Sequence, residues 1–126
     1  MAPVILVDWS QAEPVYAQIA RQVRAQIASG ALETGSLLPS VRTLASDLGV
    51  NLNTVARAYR LLAAEGFVSS EAREGVRVVA PARKVERTTL DALNDEMTAV
   101  LARMRQAGMS SADIRKRVER VLEQMI

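Results

Sequence analysis

A mainly α-helical chain with one small β-hairpin is the fold class that this sequence predicts, on three observations. Two short amphipathic stretches, 41–48 and 52–65, are separated by a few residues that include Gly49. Two apolar runs, Phe67-Val68 and Val76-Arg77-Val78-Val79, flank a polar stretch that bears a glycine. Beyond Pro81, two further stretches each carry a continuous apolar stripe at helical spacing. The first two observations describe a helix-turn-helix with a β-hairpin wing, residues 1–80. A linker at 81–87 and a two-helix dimerisation hairpin at 88–126 complete the expected organisation.

At the start, Val4-Ile5-Leu6-Val7 is rich in β-branched residues and reads as a strand ending at Asp8, with Trp9 packed beside it. Pro14 suits the first position of a helix, where its missing N–H costs nothing. Tyr16, Ile19, Ala20, Val23 and Ile27 then share one helical face, and Gly30 ends the run. The stretch 31–39, with Gly35 and Pro39, reads as a loop. Ser40 is a suitable N-cap for a second helix with Val41, Leu44, Ala45 and Leu48 inward; Gly49 stops it and Asn51 caps a third. That third helix, about 52–65, is expected to bury Val55, Ala58, Tyr59 and Leu62. Residues 69–75 are the expected turn of the hairpin. In the tail, a helix from about Thr88 carries Leu90, Leu93, Met97, Val100, Leu101 and Met104 on one stripe, with 83–87 open to either linker or helix. Gly108 breaks it, and Ser110 caps a last helix with Ile114, Val118, Val121, Leu122 and Met125 inward.

Composition narrows the function by exclusion. The 126 residues include no Cys and no His, which removes disulfides, the usual transition-metal ligands and His-based catalysis. Ser40, Ser69 and Ser70 therefore have no histidine base, and Asp95-Glu96 is explained by a solvated helix face. No phosphate loop or dinucleotide fingerprint is present, so no enzyme, cofactor or metal is expected. Aromatic residues make up 3%, too few for a platform that stacks single-stranded bases. No stretch resembles a signal peptide or an apolar span of about 20 residues, so a cytoplasmic protein without membrane contact is expected. Net charge is only +2, and residues 1–80 balance seven basic against seven acidic groups. Any nucleic-acid argument must then rest on where particular side chains sit.

On the third helix, Asn53, Thr54 and Arg57 lie off the buried set, near the N-terminal end. In a helix-turn-helix that end enters the major groove, where short polar groups and an Arg suit base edges and nearby phosphates. Ser40 and Arg42 open the second helix, whose free N–H groups and positive dipole end favour a phosphate. Asn51, the cap of the third helix, joins this DNA-binding set. Taken singly each is an ordinary solvated residue; jointly, on this scaffold, they point to DNA.

The stretch PVYAQIARQVRAQIASGALETGSLLPSVRTLASDLGVNLNTVARAYRLLAAEGFV resembles the N-terminal winged helix-turn-helix of GntR-type bacterial transcription regulators. The resemblance covers about residues 10–80, and "LPSVR" and "GVNLNTVARAY" are its specific part. The chain length, with two helices after the wing, is similar to the short YtrA-like branch, which lacks the large effector domain of other GntR-type proteins. The resemblance implies that Ser40, Arg42, Asn53 and Thr54 grip DNA, and that the protein controls a nearby operon, often one for a transporter. Departures are visible: Leu52 and Ala56 stand where many members have Arg, while Arg57 belongs to the short branch. Family wings often read R-x-G-x-G-T-F-V; here Arg73-Glu74-Gly75-Val76-Arg77 keeps one glycine, and Glu71 and Glu74 add negative charge. Arg73, Gly75 and Arg77 are the wing contacts implied.

A two-helix hairpin cannot bury two full stripes within itself, whereas two such hairpins from two chains form a four-helix bundle. The expectation is therefore a homodimeric repressor on a near-palindromic duplex operator. Met97, Met104 and Met125 make a pliable interior with room for an unidentified small-molecule effector. The rival expectation is a winged-helix protein-interaction module that does not bind DNA.

Overall fold

The computed structural model describes residues 3–72 and 75–125. Its contacts divide it into two compact units, Met1–Pro81 and Ala82–Ile126.

The first unit holds α1 (Val15–Ala28), α2 (Val41–Leu48), α3 (Leu52–Ala64), β1 (Val68–Ala72) and β2 (Gly75–Val78). Its core is where the apolar spacing put it: Ile19, Ala20 and Val23 of α1 meet Leu44 and Ala45 of α2 and the Val55, Ala58, Tyr59 and Leu62 face of α3. Pro14 stands at the N-cap of α1, one position before the helix proper. The turn between α2 and α3 takes three residues because Gly49 adopts φ +66, a left-handed conformation that a Cβ disfavours. The Val50 N–H then reaches back to the Ala45 carbonyl at 3.0 Å and closes the end of α2. Asn51 follows at once as the cap of α3, accepting from the Asn53 N–H at 2.8 Å.

Four parts of this unit differ from the sequence expectation. Residues 4–7 form no strand, because among the described residues no backbone group hydrogen-bonds to theirs. Glutamine side chains take that place: the amides of Gln26, Gln22 and Gln18 each accept from one N–H and donate to one carbonyl of Val4, Leu6 and Asp8, at 2.7–3.0 Å. The match is metric, since four helical residues advance about 6 Å and two residues of an extended chain about 6.6 Å. Ile5 is buried and Val4 and Leu6 are exposed, so burial alternates as on a strand even though the ladder is made of side chains. Trp9, expected to pack, is 69% exposed. The third difference is the wing.

β1 pairs antiparallel with β2, Val68 opposite Val78 and Ser69 opposite Arg77, with an irregularity before the Ala72–Gly75 pair. Residues 69–72, expected in the turn, thus belong to a strand, and β2 opens on Gly75 at φ +122. The tip, Arg73 and Glu74, lies outside the described residues, and the expected contact of Arg73 with it. Nor is 31–39 a free loop: Gly35 and Leu38 donate to Val78 and Val76 at 2.8 Å, Val78 donates to Ser36, and Leu37 bridges Arg77. Backbone pairing between segments 40 residues apart leaves no local signal, which is why turn residues alone suggested a loop.

The second unit is a helical hairpin, α4 (Arg87–Gln106) and α5 (Ser111–Glu123). Ser110 caps α5 by accepting from the Asp113 N–H at 3.1 Å. Among the described residues of this unit only Ile114 is buried, while Leu101 and Met104 are half-buried. Leu90, Leu93, Met97 and Val100 on α4, and Val118, Val121 and Leu122 on α5 with Met125 beyond it, remain exposed. Among the described residues no helix is long and apolar enough to cross a membrane.

Candidate nucleic-acid interface

The interface is built by the turn that presents α2 and α3. At the start of α2 the Ser40 hydroxyl accepts from the Thr43 N–H at 3.1 Å and donates to the Thr43 hydroxyl at 2.9 Å. Both functions of that oxygen are used in capping, so Ser40 shapes the helix end. The N–H groups of Val41 and Arg42 have no acceptor among the described residues, as expected of a first helical turn, and form a small anion-favouring edge. Arg42 beside them is exposed, and no carboxylate lies within ion-pair distance of it among the described residues.

Burial of Val55, Ala58, Tyr59 and Leu62 turns the opposite side of α3 outward. Asn53, Arg57 and Arg60 are all exposed on that side, at intervals of four and three residues. Thr54 sits on the flank, half-buried. Asn51 uses its side-chain oxygen for the cap, which leaves its amide N–H groups available. Arg57 is not extended into solvent: its guanidinium carbon lies 3.8 Å from the centre of the Tyr16 ring on α1. Arg60 was not singled out from sequence, although its i+7 relation to Asn53 puts it on the same face. With Val41, Ala56 and Tyr59 it lines a groove of about 210 Å³ that reaches Val68 and Val76 of the wing.

The remaining arginines among the described residues of this unit are held by their surroundings. Arg24 pairs with Glu65 at 2.6 Å and lies over the Phe67 ring, and Arg21 pairs with Glu13 at 3.1 Å. Arg77, expected to touch DNA from the wing, donates to the Gly35 carbonyl at 2.6 Å and so ties β2 to the segment before α2. Gly75 supplies backbone conformation to the wing and no side chain. A further residue missed from sequence as more than core is Tyr59. Its hydroxyl donates to the Pro39 carbonyl at 2.7 Å, fixing the residue before the Ser40 cap, and burial pushes its phenol well above the usual range. Tyr59 thereby links the packing of α3 to the placement of α2. No group of acidic residues that could hold a metal ion occurs among the described residues.

This geometry agrees with what the chain is similar to. The family model of bacterial regulatory proteins, gntR family, matches residues 15–78, from the start of α1 to the end of the wing. The HTH-type transcriptional regulator Rv1152 of Mycobacterium tuberculosis is 45% identical over 69 residues, and this chain spans 57% of its length. The HTH-type transcriptional repressor YtrA of Bacillus subtilis is 32% identical over 103 residues, 82% of this chain and 75% of that protein. Among solved structures, YtrA from Sulfolobus acidocaldarius, a GntR-family transcription factor, superposes with a TM-score of 0.61 at 33% identity, covering 95% of this chain and 97% of that one. The match therefore runs through the helical hairpin as well as the winged unit, and the chain belongs to the gntR family of bacterial regulatory proteins, in its YtrA-like branch.

Proposed function

We propose that this chain is a cytoplasmic transcriptional repressor that binds a two-fold-related duplex operator as a homodimer. One observation carries the DNA reading: the side chains of Arg42, Asn53 and Arg60 are exposed and make no hydrogen bond or ion pair among the described residues, on helices whose apolar faces are packed in the core. Ser40 and Asn51 set the helix ends that aim this edge. Asn53, Thr54 and Arg57 have the groups for base edges, and Arg42 with the first-turn N–H groups of α2 has those for a phosphate. Arg73, Gly75 and Arg77 of the wing add backbone contacts at most.

The exposed stripes of α4 and α5 support dimerisation, because a second hairpin covers them as a four-helix bundle. Two copies present two recognition helices, which suit half-sites about one helical turn apart. We assign 1–80 to DNA binding, 81–87 to the linker and 88–126 to dimerisation, with any small-molecule effector acting at the hairpin. A second reading, a protein-docking platform, has one observation in its favour, the exposed apolar trio Val4, Leu6 and Trp9.

Selection from a random duplex pool separates the two. The DNA reading expects paired half-sites, and binding that weakens steeply with salt. Arg42→Ala should weaken all sequences alike and reduce the salt slope by about 1. Single unpaired half-sites would remove the dimer, and no enrichment at all would leave the docking reading.

A further inference from the structure

Two features of the Tyr16–Arg57 contact set it apart from the other arginine contacts of the winged unit. The guanidinium carbon of Arg57 lies over an aromatic face, 3.8 Å from the Tyr16 centroid, a separation that suits face-to-face stacking, and no carboxylate is within ion-pair reach among the described residues. Arg57 is nonetheless exposed, on the outward side of α3 beside Asn53. The Tyr16 hydroxyl makes no hydrogen bond to a described residue, so the ring face alone holds the arginine. A guanidinium donates hydrogen bonds only from its in-plane edge. Stacking uses its face, which leaves the whole donor fork free while fixing the plane in which that fork points. Arg24 and Arg77 are the contrast, because their N–H groups already serve Glu65 and the Gly35 carbonyl. An arginine held through its face needs to break nothing in order to bind, and it has less rotamer freedom to lose.

We infer that Tyr16 is a specificity-positioning residue, whose ring presents the donor edge of Arg57 to a guanine of the operator, at the O6/N7 pair that a guanidinium fork fits. This rests on the DNA reading above. It gives a role to the aromatic ring that stands in the first turn of α1, half out of the core. The sequence pattern alone had counted Tyr16 as one more member of the buried stripe.

The test uses the full chain and duplex DNA selected by the unaltered protein, with affinities measured for that site and for each single-base-pair variant. Tyr16→Phe keeps the face and should match the parent. Tyr16→Leu keeps an apolar body without the face; discrimination should fall about two- to fivefold, the range of an exposed cation–π contact. The loss should fall at the one base pair where Arg57→Ala loses most, with the salt slope unchanged. In the Arg57→Ala background Tyr16→Leu should add nothing. Tyr16→Met serves the same comparison should the leucine variant unfold. Unaltered discrimination in Tyr16→Leu, an even loss at every position, or effects that add to those of Arg57→Ala would each overturn the inference. A parent protein that selects no duplex sequence would overturn the DNA reading itself, a distinguishable failure.

Discussion

Replacing Leu93 by Asp in the full chain should separate the subunits while leaving each chain folded. In the single chain Leu93 is 54% exposed, so about half of its side chain is still in water. Covering that half in a bundle stabilises by about 1 kcal/mol, and two-fold symmetry counts it twice. A carboxylate in its place would be buried without a partner, at a cost of about 3 kcal/mol or more per dimer. The loss is on the order of 5 kcal/mol, which raises the dissociation constant by roughly three and a half orders of magnitude. Folding of the hairpin itself should scarcely change, because the new charge stays hydrated in the monomer. Ile114→Ala is the contrasting case: at 8% exposure Ile114 lies inside the hairpin, and its truncation should cost about 2–4 kcal/mol of folding. Sedimentation across the micromolar range, with thermal melting of both variants, checks the pair. A Leu93→Asp protein that sediments as the parent does would refute the argument that this stripe joins two copies.

Two further outcomes follow from the winged unit. Gln18, 1% exposed, accepts from the Asp8 N–H and donates to the Asp8 and Glu13 carbonyls, so Gln18→Leu should cost about 2–4 kcal/mol in urea unfolding, and Gln22→Leu on the exposed rung about 1 kcal/mol or less. Because burial raises the Tyr59 phenol, the folded chain keeps that proton where the unfolded chain releases it; stability should be whole below pH about 10 and decline above. Tyr59→Phe should lose about 1 kcal/mol at neutral pH and lessen the alkaline decline, and unfolding curves at both pH values that keep the parent's pH dependence would contradict this.

The parts of the fold that local chemistry dictates were legible in the sequence. Ser40, Asn51 and Ser110 cap helices as their side-chain oxygens suggested, and the stripe on α3 named its buried residues correctly. Non-local partners were not legible. Val4-Ile5-Leu6-Val7 has the composition of a strand, but composition cannot say whether another strand lies beside it. The signal that was present, glutamines at 18, 22 and 26, speaks only once the i+4 spacing is set against an alternating segment. The pairing of 35–38 with β2 gave no signal at all. On α3, Asn53 and Arg57 followed from helical spacing, whereas the stacking of Arg57 depends on where α1 crosses α3, which periodicity does not encode.

The glutamine ladder has an experimental consequence. Among the described residues, six hydrogen bonds fasten Val4, Leu6 and Asp8 to the glutamines of α1, each between an uncharged side-chain amide and an uncharged backbone group. Ion screening has little to act on there, and with no histidine in the chain no imidazole titrates near neutral pH. This fastening should therefore stay closed across the salt range in which phosphate contacts come and go. An observer titrating salt against a complex with DNA would then be reading the interface without a hidden contribution from a loosening N-terminus.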